Sequence, residues 1–175
     1  MYMNGFLLLI PSILIRYLLL YLLSKDAMKR AAYFAPIIGV ERIAFWVYQI
    51  STIAIFVYTF LLKVKIQQTW LFYTGTAFYV VGLFLLTLSM VNYAAPSTTG
   101  INRNGLYRIS RNPIYVAYFI CFIGCVVLTQ SLLLLGFVLT FQIAGHWIIL
   151  SEERWCKERF GAEYLEYMKN VRRYI

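Results

Sequence analysis

Two short stretches of this chain hold most of the side chains capable of chemistry. The first contains Gly105-Leu106-Tyr107 followed by Arg111-Asn112-Pro113-Ile114-Tyr115. The second contains Glu152-Glu153 and then Phe160-Gly161-Ala162-Glu163-Tyr164. Between them lie two apolar runs, residues 113–128 and 132–150, separated only by Thr129, Gln130 and Ser131. Runs of this length joined by so short a break predict a helical hairpin, which returns the chain to the face it left. Residues 111–115 and the glutamate pair are therefore expected as neighbours. Carboxylates, a guanidinium and phenols gathered at one end of an apolar hairpin form a cleft with polar anchors, the usual form of a small-molecule site.

The elements that must position these residues are membrane helices. Of the 175 residues, 62% are hydrophobic and 13% charged, whereas a soluble domain is nearer half apolar and a quarter charged. Apolar runs at residues 2–23, 43–62 and 70–91 each approach the roughly twenty residues that cross a bilayer core. Trp46, Trp70 and Tyr93 lie near their ends, as in an interfacial aromatic belt. Pro113 is placed to open its helix, where its missing N–H goes unneeded. Arg16 falls inside the first run; a charge there is costly, so it is expected to face other helices or to snorkel. Residues 25–30 read as a polar loop. Residues 31–39, apolar but short, read as a re-entrant or interfacial piece or as the tilted start of the next span. The first run lacks a preceding positive charge and a following small-residue cleavage site, so it reads as a retained helix.

The fold class predicted is an all-α integral membrane protein with about five transmembrane helices, a C-terminal helical hairpin and an amphipathic tail. It divides into N-terminal transmembrane helices, 1–91, and a loop, hairpin and tail, 92–175. The net charge is +9. The basic residues sit between apolar runs rather than on a polar face, which argues for anionic headgroups and against nucleic acid. With the N-terminus outside, Lys25, Lys29, Arg30, Arg42, Arg103, Arg108, Arg111 and six basic residues of the tail fall inside, and only Lys63 and Lys65 outside. The positive-inside rule thus predicts five spans and a multi-pass protein whose loop 92–112 and tail 151–175 both face the cytoplasm. The three cysteines, Cys121, Cys125 and Cys156, follow no disulfide or metal pattern; no metal is expected, and Cys121 and Cys125 read as small buried residues.

The motifs resemble those of the isoprenylcysteine carboxyl methyltransferase and phospholipid N-methyltransferase superfamily. Its signature is G-x-Y, then R-[HN]-P-x-Y, an apolar hairpin, E-E, and F-G-x-x-Y-x-x-Y. Gly105/Tyr107, Arg111/Asn112/Pro113/Tyr115, Glu152/Glu153 and Phe160/Gly161/Tyr164/Tyr167 supply these parts in order. The resemblance covers roughly residues 92–175. It implies S-adenosylmethionine as cofactor, bound on the cytoplasmic side by Tyr107, Asn112, Pro113, Ile114, Tyr115 and Glu152, with Thr99, Gly100, Ile101 and Asn102 contributing from the preceding stretch. The chemistry of the cofactor agrees: a glutamate suits its ammonium or ribose hydroxyls, the tyrosines offer aromatic faces, and Arg111 is suited to its carboxylate. The methyl acceptor implied is a membrane-embedded lipid or lipidated small molecule. Two departures bear on it. Asn112 replaces the familiar histidine, so titration at that position is excluded. Ile148 stands where carboxyl methyltransferases of the family carry an arginine, which favours an amine-bearing lipid over a prenylcysteine carboxylate. The proton shed by such an amine is assigned to Glu153 or His146, making Arg111, Glu153 and His146 the catalytic candidates.

Each feature also has a plainer reading. The glutamate pair could cap a span, Arg103 and Arg108 could serve topology alone, Asn112-Pro113 could be a simple helix start, His146 a packed helix residue, and the tail tyrosines an amphipathic face on the membrane. Two rival functions are a sterol-reductase-like NADPH-dependent enzyme, whose tail motif is nearer R-D-E, and a non-enzymatic scaffold or transporter subunit. The latter should bind no cofactor, and a transporter should carry internal repeats, of which none is evident.

Overall fold

The computed structural model describes residues 2–96 and 100–175. Seven helices dominate it. Helix α1 (Gly5–Leu23) is not uniform: a 3₁₀ turn, Gly5–Leu8, and an α-helical turn, Ile10–Ile13, lead into a wide π-helical segment, Leu14–Leu19, and a last α-helical turn, Leu20–Leu23. Residues 2–4, expected as helix, instead form strand β1 (Tyr2–Asn4), antiparallel to β2 (Lys63–Lys65), with Tyr2 opposite Lys65.

The stretch read as a polar loop is helix α2 (Lys25–Ala32), whose N-terminus is capped by Ser24 Oγ accepting from the Ala27 amide at 3.1 Å. Asp26 in its first turn and Lys29 and Arg30 in its last complement the helix dipole. Apolar periodicity is a poor guide to so short and charged a helix. The following residues, 33–40, are irregular. Helices α3 (Glu41–Leu61), α4 (Trp70–Ala94), α5 (Pro113–Thr129), α6 (Leu132–Phe160) and α7 (Ala162–Asn170) complete the chain.

Four helices, α1, α3, α4 and α6, are long and apolar enough to cross a membrane, while α5 is shorter at 17 residues. At 1.5 Å per residue α5 is about 25 Å long, the low end of what a bilayer core accepts. Leu22, Val40, Trp46, Phe60, Trp70, Phe84 and Leu132 all face outward and exposed. Water does not tolerate that much apolar surface and lipid does, so this is an integral membrane protein. Helix α6 does not stop near Leu150, where the apolar run ends. It continues to Phe160, 29 residues in all, and ends at Gly161, whose φ is +55°. Charged residues do not break a helix; a glycine free to enter the left-handed region does.

Helix α4 packs along α5, and α3 along α6. The first pair touches through glycines: a Cβ on Gly82 would lie 2.4 Å from the Cys121 amide nitrogen, and one on Gly124 2.4 Å from that of Tyr79. Small residues let membrane helices approach this closely. Gly82→Ala or Gly124→Ala is expected to force the helices apart at a cost of about 1–3 kcal/mol, read as an earlier melting transition in detergent. An unchanged transition in both variants would show that the α4–α5 contact has slack.

Candidate active site

A cavity of about 1190 Å³ opens where α1, α3, α5, α6 and α7 meet the residues that follow α2 and the loop before α5. One end is polar, with Arg16, Asn102, Tyr107, Tyr115 and Glu152 on its wall; the other reaches between the helices to Phe56, Phe122 and Phe141. The hairpin performs as expected in bringing α5 to the glutamate pair: the Tyr115 hydroxyl donates to Glu152 Oε1 at 3.2 Å.

The two glutamates are used differently. Glu152 faces the cavity and holds only Tyr115 among the described residues. Glu153 is stapled. Its Oε1 accepts from Arg111 Nη2 at 2.8 Å, from Arg111 Nε at 3.2 Å and from Arg173 Nε at 3.1 Å, and its Oε2 accepts from Arg173 Nη2 at 2.8 Å. Arg111 spends its two Nη1 donors on the carbonyls of Met168 (3.0 Å) and Val171 (2.6 Å). Both members of this pair, catalytic candidates from their sequence positions, are thus committed to protein partners. Both touch the cavity wall, but Arg111 directs four of its donors at protein acceptors, and Glu153 lies between two guanidiniums.

The C-terminal residues act as a strap across the motif. The Arg111 amide donates to the Arg172 carbonyl at 2.9 Å, and the Asn112 side-chain amide donates to the Arg173 carbonyl at 3.1 Å. The Tyr167 hydroxyl donates to the Tyr107 carbonyl at 2.6 Å. Asn112 thus lines the cavity but commits its side chain to the strap. His146 shares a 2.6 Å hydrogen bond through Nδ1 with the Tyr174 hydroxyl and is not among the residues lining the cavity. It anchors the end of the strap.

The remaining candidates fall as follows. Gly100, Ile101 and Asn102 line the cavity. Gly100 has φ +89°, a conformation that favours glycine, and Ile101 is buried against Tyr164 and Tyr167. Thr99 lies outside the described residues. Tyr107 is buried on the cavity wall. Burial pushes its hydroxyl well above the usual phenol range, with Tyr93, Tyr167 and Glu152 adding to the rise and Arg16 opposing it, so it stays a neutral donor. Ile114 lines the cavity, while Pro113 starts α5 without doing so. Ile148 is fully buried away from the cavity.

Sequence reasoning missed the wall contributed by the N-terminal half: Arg16 as a cavity residue, Gln49 and Thr52 on α3, and residues 33–35. Gln49 and Thr52 carried a signal, since polar side chains within an apolar span are commonly functional. Residues 33–35 carried none, because they are held by a long-range contact: Arg154 on α6 pairs with Glu41 and donates to the Pro36 carbonyl at 2.7 Å.

A nucleoside cofactor bearing an amino acid needs acceptors and aromatic faces, and the polar end has them. Asn102 Oδ1 is buried with no hydrogen-bond partner among the described residues, the Oε2 of Glu152 is uncommitted among them, and Tyr107 and Tyr115 supply rings. A helical membrane bundle enclosing a polar-ended cavity of this kind has the form of a membrane-embedded enzyme. The chain belongs to the phospholipid methyltransferase family, which it matches over residues 70–163, from the start of α4 into α7. It is thus a membrane methyltransferase, of a family that generally uses S-adenosylmethionine. Neither the curated proteins nor the solved structures provide a match.

Proposed function

We propose that this protein transfers a methyl group from S-adenosylmethionine to the amine of a membrane lipid, at a site facing the cytoplasm. The observation that carries the reading is the two-ended cavity: at one end Glu152 and an Asn102 Oδ1 with no hydrogen-bond partner among the described residues, and at the other an aromatic-lined arm between helices. Residues 92–175 hold the cofactor, and the N-terminal helices form the wall against which the acceptor lies. When bound, the cofactor supplies an electrophilic methyl carbon. The chain's part is to orient and to exclude water. Glu152 accepts from the cofactor's ammonium or ribose hydroxyls, Asn102 Oδ1 accepts a further donor, and Tyr107 and Tyr115 pack against its rings or sulfonium. Arg111, Glu153 and Arg173 act as positioning residues, holding the strap that closes this end. The excess of basic residues on the loop and tail side supports the cytoplasmic orientation.

Calorimetry of the detergent-purified protein with S-adenosylmethionine, S-adenosylhomocysteine and NADPH tests the cofactor; binding of the first two and not the third is expected. NADPH binding alone would replace this reading with a reductase. A methyl-tritium screen over lipid extracts then tests the acceptor. Only an unprotonated amine attacks, and among the described residues Glu153 is paired with Arg111 and Arg173 while His146 does not line the cavity. Methyl transfer to phosphatidylethanolamine is therefore expected to rise with pH through the amine's own titration. A flat pH profile, or turnover of a prenylcysteine analogue with none on aminolipids, would remove the amine assignment and leave the methyltransferase intact.

A further inference from the structure

We propose that Arg16 is the residue that recognises the acceptor, by binding the phosphodiester of an aminophospholipid headgroup; this rests on the function proposed above and names the contact that selects its substrate. Arg16 lies seven residues before the end of α1, about 10 Å along the helix axis from it. A guanidinium within a span is retained only where a partner or a polar cavity compensates it. Its one hydrogen bond among the described residues is from Nη2 to the Ala31 carbonyl at 2.8 Å. That bond fixes the fork against the end of α2 and leaves most of its five donors unspent. The side chain lines the cavity.

The other cationic residues on the cavity wall are differently occupied. Arg111 is locked to Glu153, and Lys29, Arg30 and Arg159 are exposed at the rim. Arg30 and Arg159 also lie over aromatic rings, Arg30 over Tyr93 and Arg159 over Trp155 and Phe160. Arg16 is therefore the half-buried cation with donors to offer. The obvious internal counter-charge, Glu152, lines the same cavity, yet no ion pair among the described residues joins the two. Arg16 and Glu152 thus offer opposite charges to a zwitterion within one cavity. An ethanolamine headgroup carries its phosphodiester two carbons from its amine. With the phosphodiester on Arg16, the amine points toward the end where the methyl is delivered, and the acyl chains lie toward the aromatic arm.

Local backbone supports a built site. Arg16 sits inside the π-helical segment Leu14–Leu19. The wider turn of such a segment redirects side chains relative to a regular helix, costs hydrogen-bond quality, and recurs at functional positions. A bidentate fork matches a phosphodiester better than an ammonium does, so lysine should substitute only in part.

The test compares wild type, Arg16→Gln and Arg16→Lys in detergent micelles containing either phosphatidylethanolamine or a long-chain alkylamine without phosphate. S-adenosylhomocysteine affinity is measured in parallel. Arg16→Gln is expected to raise KM for phosphatidylethanolamine by about tenfold to a hundredfold, as loss of a charged hydrogen bond implies. It should leave the alkylamine KM and the S-adenosylhomocysteine affinity unchanged, and Arg16→Lys should fall between. Equal effects on both acceptors, or none on either, overturn the proposal and leave the methyltransferase standing. So does loss of S-adenosylhomocysteine binding in Arg16→Gln, which would place the residue on the cofactor. Turnover confined to a prenylcysteine carboxylate also overturns the phosphodiester assignment. Failure of the wild type itself to bind S-adenosylhomocysteine removes the cofactor reading, and this proposal falls with it.

Discussion

Glu153→Ala is expected to destabilise the cofactor end of the protein by about 3–5 kcal/mol, the cost of leaving a buried charge without its partner. The reason is Arg111, whose side chain is 7% exposed and whose partner Glu153 is 4% exposed. Removing the carboxylate leaves that guanidinium, among the described residues, with the Met168 and Val171 carbonyls. Arg173, 32% exposed, can turn to solvent and adds less. Melting of the purified protein reads the loss. Replacing the Arg111–Glu153 pair by apolar residues of similar volume should recover much of the stability, since the penalty comes from the orphaned charge rather than from the absent bond. It should not recover cofactor affinity fully, because the strap also hangs on Arg111. A loss under about 1 kcal/mol for Glu153→Ala would mean that water screens the pair and that the strap is held by its backbone bonds alone.

Glu152→Gln should leave stability nearly unchanged and weaken S-adenosylhomocysteine binding by about 1.5–3 kcal/mol, roughly tenfold to 150-fold. Glutamine keeps the volume and can still accept from the Tyr115 hydroxyl, so the fold has little reason to respond. What it lacks is the charge and one acceptor facing the cavity. Tyr115→Phe provides the comparison: it removes a neutral donor 3.2 Å from Glu152 Oε1 and should cost only about 0.5–1.5 kcal/mol. Calorimetry on the three proteins decides between a ligand-binding carboxylate and one that merely caps the interface. Equal affinity in wild type and Glu152→Gln would establish the cap. The contrast between adjacent glutamates, one stapling the fold and one facing the cavity, is the sharpest statement the geometry makes about this site.

Much of the architecture was legible before any coordinates. Composition and run lengths decide that the chain lives in a bilayer, because burying so much apolar surface within so small a domain is impossible and lipid removes the need. The short Thr129-Gln130-Ser131 break decides the hairpin, and with it the meeting of Tyr115 and Glu152. The spacing of the motifs decides the family. Arg16 was conspicuous as a cost, although its destination was not.

Tertiary structure alone decided which side chains are free to act. Arg111 and Glu153 look like catalytic groups in sequence and are each other's partners in space. The carbonyls that take the Nη1 donors of Arg111 come from residues about sixty positions later, and no local period encodes a contact across that separation. The same holds for the strap over Asn112, for the loop pinned by Arg154 and Glu41, and for β1 against β2. The π-helical segment that carries Arg16 was equally invisible, because a single widened turn depends on how α1 packs rather than on its residue types. Local chemistry sets which elements form and which lipid or water faces they show; the long-range pairing of a few charged groups sets which of them are left to meet a ligand.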